Sequence, residues 1–185
     1  MQDHEARGQR AGIIDRMIGA ARLRVSTFED VEADRSATRQ AMLVVIAVAI
    51  ATGIGSVGGG VTALLSGVAF ALVGWAAWAW ITYWVGTRFL PTTQTHADWG
   101  QLARALAFAQ SPGILKVLGG IPGIGPPIFA VASIWQFVAM VIAVRQALDY
   151  ESTWRAIGVV LVGAIPYIVL LSILGVVLGG MPSSS

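Results

Sequence analysis

The sequence predicts an all-α polytopic membrane protein: a bundle of five transmembrane helices behind amphipathic N-terminal helices that stay outside the lipid core. Three observations carry this. No charged residue occurs between Met42 and Thr87, and none between Ala156 and Ser185; both stretches exceed the ~20 apolar residues that cross a bilayer. Hydrophobic residues make up 56% of the 185 and charged residues 12%, with a mean hydropathy of +0.72, whereas soluble domains carry about 25% charged residues. The remaining charges are confined to residues 1 to 40, the segment from Arg88 to Lys116, and the cluster from Arg145 to Arg155.

Residues 1 to 39 form the polar N-terminal region and residues 40 to 185 the five-span domain. Ile13, Ile14, Met17, Ile18, Ala21 and Val25 recur at spacings that gather them on one helical face, while Arg10, Asp15, Arg16, Arg22 and Arg24 take the other. Such a helix suits the membrane interface. Ser26 followed by Glu29 has the spacing of a capping box and predicts a second helix from near Thr27. The pair either shields one end of the bundle or docks a partner. Seven arginines in the first forty residues are balanced by seven acids, so no basic block points to nucleic acid. A polar stretch of this length is unlike a cleavable signal peptide.

The first span is expected from about Gln40 to Val57 and the second from about Val61 to Thr87. Gly58, Gly59 and Gly60 join them in a tight turn. Leu102 to Ile121 makes the third: it contains Arg104, Gln110, Ser111, Pro112 and Lys116 but is otherwise apolar, and Pro112 should kink it. The P-G-I-G-P-P turn from Pro122 to Pro127 breaks the helix. A fourth span covers about Ile128 to Val144 and a fifth about Ala156 to Leu178.

With five spans and a cytoplasmic N-terminus, every arginine falls on one side, as the positive-inside rule requires. The opposite side receives the glycine turn, the P-G-I-G-P-P turn and the C-terminal tail. A four-span alternative, with residues 102 to 121 interfacial or re-entrant, would export Arg145 and Arg155 and scatter the charge. Eleven arginines against one lysine, with 22 glycines, suit a GC-rich bacterial genome, so the expected compartment is the bacterial cytoplasmic membrane.

The order of these features resembles a known family. A polar N-terminus and five spans are followed in register by R-A-L-A-F-A-Q-S-P-G-I-L (Arg104 to Leu115), G-I-P-G-I-G, and I-W-Q-F-V-A-M-V-I-A-V-R-Q-A-L (Ile134 to Leu148) with a charged turn into the last span. Together they are similar to the Yip1 domain family, most clearly from Trp99 to Ile165. For eukaryotic members the resemblance implies vesicle traffic and binding of Rab-type GTPases and a sister family. This chain lacks the D-L-Y-G-P element before the first span, and Phe108 and Gln110 stand where a tyrosine is expected before the third-span proline. The resemblance alone therefore does not carry GTPase binding to it.

Catalytic chemistry is not expected. His4 and His96 have no second ligand at metal spacing, and G-I-P-G-I-G follows no strand and lacks the lysine of a phosphate-binding loop. Paired carboxylates, H-E-x-x-H and G-x-S-x-G are absent, and there is no cysteine to act as nucleophile, thiolate ligand or disulfide. No cofactor and no metal are expected.

Polar residues inside the membrane are the candidates for function, because they are costly there. Lys116 either snorkels outward or holds an anionic lipid or a partner's carboxylate. Gln110 and Gln136 should lie within about 3 Å in depth on neighbouring antiparallel helices, either as a structural hydrogen bond or as part of a substrate site. Trp84 fits the interfacial belt beside Arg88, but Trp75 and Trp78 lie too deep; they pack against lipid and helices or stack on a lipid-soluble molecule. Gly175 and Gly179 form a small-xxx-small step for close helix approach, within the fold or between subunits. The expected function is that of a noncatalytic membrane protein of Yip1 type that organises other components. Its partners would be the lipid bilayer and other membrane proteins, in an oligomer or larger complex. The alternatives are an accessory subunit of a bioenergetic or transport complex and, with least support, a small transporter.

Overall fold

The computed structural model describes residues 12 to 56, 60 to 92 and 98 to 179, and every regular element among them is helical. The α-helices are α1 (Ile13–Ala21), α2 (Val25–Ala33), α3 (Ala37–Gly55), α4 (Gly60–Trp84), α5 (Trp99–Ala109), α6 (Gly125–Ala147) and α7 (Thr153–Gly179). A π-helical turn, Val85–Phe89, prolongs α4, and a 3-10 segment, Ser111–Gly120, follows α5.

Among the described residues four helices are long and apolar enough to cross a membrane: α3, α4 with its π turn, α6 and α7. Three of them begin three residues before the expected spans, at Ala37, Gly125 and Thr153. The first N–H groups of a helix have no intrahelical acceptor, so a first turn tolerates polar residues and proline. Pro126 and Pro127 accordingly sit in the first turn of α6, and the chain reverses over the four residues before Gly125. Gly58 and Gly59 of the expected α3–α4 turn lie outside the described residues; Gly60 has φ +61°.

The expected third span is not one continuous helix. Its α-helical part, α5, ends at Ala109, and the chain continues as a ten-residue 3-10 ribbon, far longer than the three or four residues usual for this conformation. Pro112 has no N–H for the carbonyl of Phe108, and the Ser111 hydroxyl donates to that carbonyl at 2.6 Å instead. Packing then holds the narrow ribbon, which lies between α3 and α6. A Cβ on Gly55 would stand 1.7 Å from the Lys116 carbonyl oxygen, and one on Gly125 would stand 1.9 Å from that of Gly119. Only bare backbone lets three segments approach so closely.

Helix α5 is the centre of the molecule. All eight residues from Leu102 to Ala109 are buried, Arg104 among them, and α2, α3, α4 and α6 surround the helix. Its start is fixed by Asp98 and Gln101, whose side chains cap each other's backbone; the Asp98 N–H donates to Gln101 Oε1 at 2.8 Å. In α3 the buried residues Ala37, Ala41, Val44, Val45, Val48, Ala51 and Gly55 form one stripe at helical spacing.

The N-terminal helices differ from expectation in two ways. The Ser26–Glu29 capping box does not form: α2 starts at Val25 with Arg24 before it and no side-chain cap. A left-handed Leu23 (φ 57°) ends α1 there, with the Leu23 and Arg24 N–H groups bonded to the Ala20 and Gly19 carbonyls. Arg16, placed on the polar face by periodicity, is buried. It donates to Asp34 at 2.7 Å and to Gln40 at 3.0 Å, while Ile14 and Ile18 are exposed.

Candidate functional site

Two glutamines meet at the junction of α5 and the 3-10 segment. Gln136 on α6 donates through Nε2 to Gln110 Oε1 at 2.7 Å and to the Gln110 carbonyl at 3.2 Å. This contact depends on Gly113, where a Cβ would come within 2.3 Å of Gln136 Nε2 and 2.7 Å of Val48 Cγ1. Replacing either glutamine with leucine should lower stability by about 0.6 kcal/mol, the average for interhelical bonds in membranes. Replacing both should cost less than the sum, since one loss already breaks the shared bond. Denaturation in detergent of the two single variants and the double variant reads the coupling; strict additivity would mean that the pair contributes nothing jointly.

An open cavity of about 600 Å³ lies beside this pair, between α3, α4, α6 and α7. Its wall is apolar, with Val48, Ala71, Trp75 and Met140 among its residues, and Gln110, Gln136, Lys116 and Tyr167 also line it. Trp75 is tied in place by a bond from its indole N–H to the Ala103 carbonyl at 2.9 Å. Trp78 stands edge-on to Tyr167 with ring centroids 5.0 Å apart, but its own indole nitrogen has no acceptor. Lys116 places its ammonium over the Phe129 ring, 5.2 Å from the centroid. Trp80 and Trp84 are exposed and lie against each other. Gly175 and Gly179 fall on the last turns of α7, whose surroundings lie outside the described residues, as do His4 and His96.

A second polar set binds the charged end of the bundle together, and periodicity did not reveal it. Arg104 donates through Nε to the Val31 carbonyl at 2.8 Å and through Nη2 to the Glu32 carbonyl, so it closes the C-terminal end of α2. The Tyr150 hydroxyl lies within hydrogen-bond distance of the Gly86 and Leu90 carbonyls, 2.9 and 2.8 Å away, where the wide π turn leaves acceptors free. Burial pushes the Tyr150 hydroxyl up to about 12. Arg155 donates to the Pro91 carbonyl at 3.0 Å. The only sequence signal for any of these is Arg104 itself, a charge inside an apolar run.

Two carboxyls here are shifted in opposite directions. Hydrogen bonds from Ser36, then from Arg16, hold Asp34 well below the usual carboxylate range. Glu32 is pushed up to about 7, chiefly by desolvation and then by Asp149, with Arg104 opposing and Glu29 adding a little. A carboxyl whose folded pKa is raised binds its proton more tightly in the native state, so its contribution to stability falls as pH rises from about 4.5 through 7. The unfolding free energy should therefore drop between pH 5.5 and 8, by an amount on the order of 1 kcal/mol because Glu32 is partly exposed. Glu32→Gln should flatten that slope; an unchanged slope would assign it to another group.

The Yip1 domain model matches residues 23 to 174, from the α1–α2 joint to the last turns of α7. No curated protein and no solved structure matched. With most of its length covered by that one model, and with apolar helices long enough to span a membrane repeatedly, this multi-pass membrane protein belongs to the Yip1 domain family.

Proposed function

We propose that the chain is a noncatalytic organiser of other membrane proteins, acting through the face built by α1, α2 and the α6–α7 loop. The observation that carries this is the bracing of that face. Arg104 anchors the end of α2 to the central helix, Arg16 joins α1 to Asp34 and Gln40, and Tyr150 fixes the loop to the end of α4. A preformed surface binds without first losing conformational freedom, which is the largest avoidable cost of association. Family membership supports the same reading. Purification of the full chain from native membranes in mild detergent should recover membrane proteins that are lost when exposed Glu29 and Asp30 on α2 are replaced by lysine. Recovery of a single complex at fixed stoichiometry, indifferent to those changes, would instead make the chain an accessory subunit.

In this proposal the chain crosses a bacterial cytoplasmic membrane five times, with the N-terminus cytoplasmic. The third crossing is supported by its two ends. Arg104 reaches the Val31 and Glu32 carbonyls just before α3 begins, and Lys116 and Gly119 lie against Gly55 where α3 ends. Residues 104 to 119 therefore cover the full depth of α3. Because the chain has no cysteine, single cysteines at Ser185 and Glu151 report sidedness directly. They should label from opposite sides of a sealed membrane, and a cysteine at Glu29 from the same side as one at Glu151; opposite labelling of Glu29 and Glu151 would leave an odd number of crossings between them and reject the third.

A further inference from the structure

We propose that the cavity between α3, α4, α6 and α7 binds one anionic phospholipid, with an acyl chain along its apolar wall and the phosphate at Lys116. The volume of about 600 Å³ falls in the range of about 300–1,000 Å³ typical of ligand sites. The shape is elongated: along α3 the lining runs from Val45 to Gly53, about 12 Å of helix. An extended chain fills such a slot better than a compact solute. The cavity is partly open, and the helices that form it are those apolar enough to stand in lipid.

The charge of Lys116 selects the headgroup. Arg16 with Asp34 is the ion pair found among the described residues, and no carboxylate there lies within pairing distance of Lys116. Its ammonium rests on the Phe129 ring, which offers no hydrogen-bond acceptor oxygen, so its N–H donors remain available to an anion. The glutamine pair uses Gln136 Nε2 and Gln110 Oε1, which leaves Gln110 Nε2 as a further donor on the cavity wall. Ester carbonyls of a diacyl lipid accept hydrogen bonds and donate none. The site therefore supplies a cation, donors and an apolar slot, and an anionic glycerophospholipid has the complementary features.

The test uses the full chain, delipidated in mild detergent and supplied with phosphatidylglycerol or phosphatidylcholine of identical acyl chains, with retained lipid counted by native mass spectrometry. One phosphatidylglycerol should be retained per chain, about fivefold more than phosphatidylcholine, the factor expected from one lysine at a membrane surface. Lys116→Gln should abolish the preference and Lys116→Arg should keep it. Ala71→Phe, which fills the cavity, should reduce retention of both lipids while the unfolding midpoint reports that the fold is intact; Ala164→Leu gives the same reading if the first variant does not fold. Equal retention of the two lipids, a preference that survives Lys116→Gln, or retention indifferent to cavity filling would place the lipid on the outer surface and overturn the proposal. Displacement of phosphatidylglycerol by a neutral isoprenoid quinone, unaffected by Lys116→Gln, would overturn it equally.

Discussion

Gly55→Ala should abolish folding of the bundle, although it adds a single methyl group. The new Cβ would stand 1.7 Å from the Lys116 carbonyl oxygen and 2.9 Å from its carbon, and both partners are backbone, so no side-chain rotation relieves the contact. Overpacked cores ordinarily lose about 1–3 kcal/mol and sometimes more; here α3 and the 3-10 ribbon must separate along their length, which puts the loss at about 3 kcal/mol or above. The expected result is failure to elute as a monodisperse species from size-exclusion chromatography in detergent. Gly67→Ala, where nothing lies within 4 Å of the added atom, should behave as the parent chain. Equal behaviour of the two variants would mean that the α3 contact is not needed.

Arg104→Leu should have the next largest effect, on the order of 2–4 kcal/mol, because it leaves two backbone carbonyls without their donor at about 1–3 kcal/mol for each buried group. The guanidinium is 5% exposed and reaches Val31 and Glu32 from two nitrogens at once. Arg104→Lys should recover only part of the loss, since a single ammonium does not reproduce the fork. Limited proteolysis provides the readout: α1 and α2 should become cleavable in the leucine variant while α6 stays protected. If protection of α1 and α2 is unchanged, Arg104 is not what holds them.

How far the fold is legible in the sequence depends on which force sets each element. The charge-free runs give α3, α4, α6 and α7 directly, because exclusion from water acts on each residue separately. The break after Ala109 is only half legible. Pro112 announces a bend, but the ten-residue 3-10 ribbon is imposed by Gly55, Gly119 and Gly125, which are distant in sequence and meet only in the packed bundle. Capping shows the same division. Ser26 and Glu29 have the motif without the structure, because packing of Thr27 against Gly19 and the left-handed Leu23 set the helix start. Asp98 and Gln101 have both. In the site, antiparallel geometry was enough to bring Gln110 and Gln136 to one depth, whereas the cavity beside them depends on the spacing of four helices. The sequence placed Lys116 near a helix end without indicating the ring beneath its ammonium.

The burial of α5 also constrains how the protein is made. Its eleven α-helical residues extend for only about 16 Å and carry Arg104, so the nascent segment has little reason to enter lipid by itself. Its walls α3 and α4 are synthesised before it, but α6 follows only after the turn at Gly125. The ribosome must therefore deliver the third segment and α6 as one hairpin, and a chain arrested before α6 emerges would hold α5 as an unfinished guest at the membrane surface, exposed to quality-control proteases.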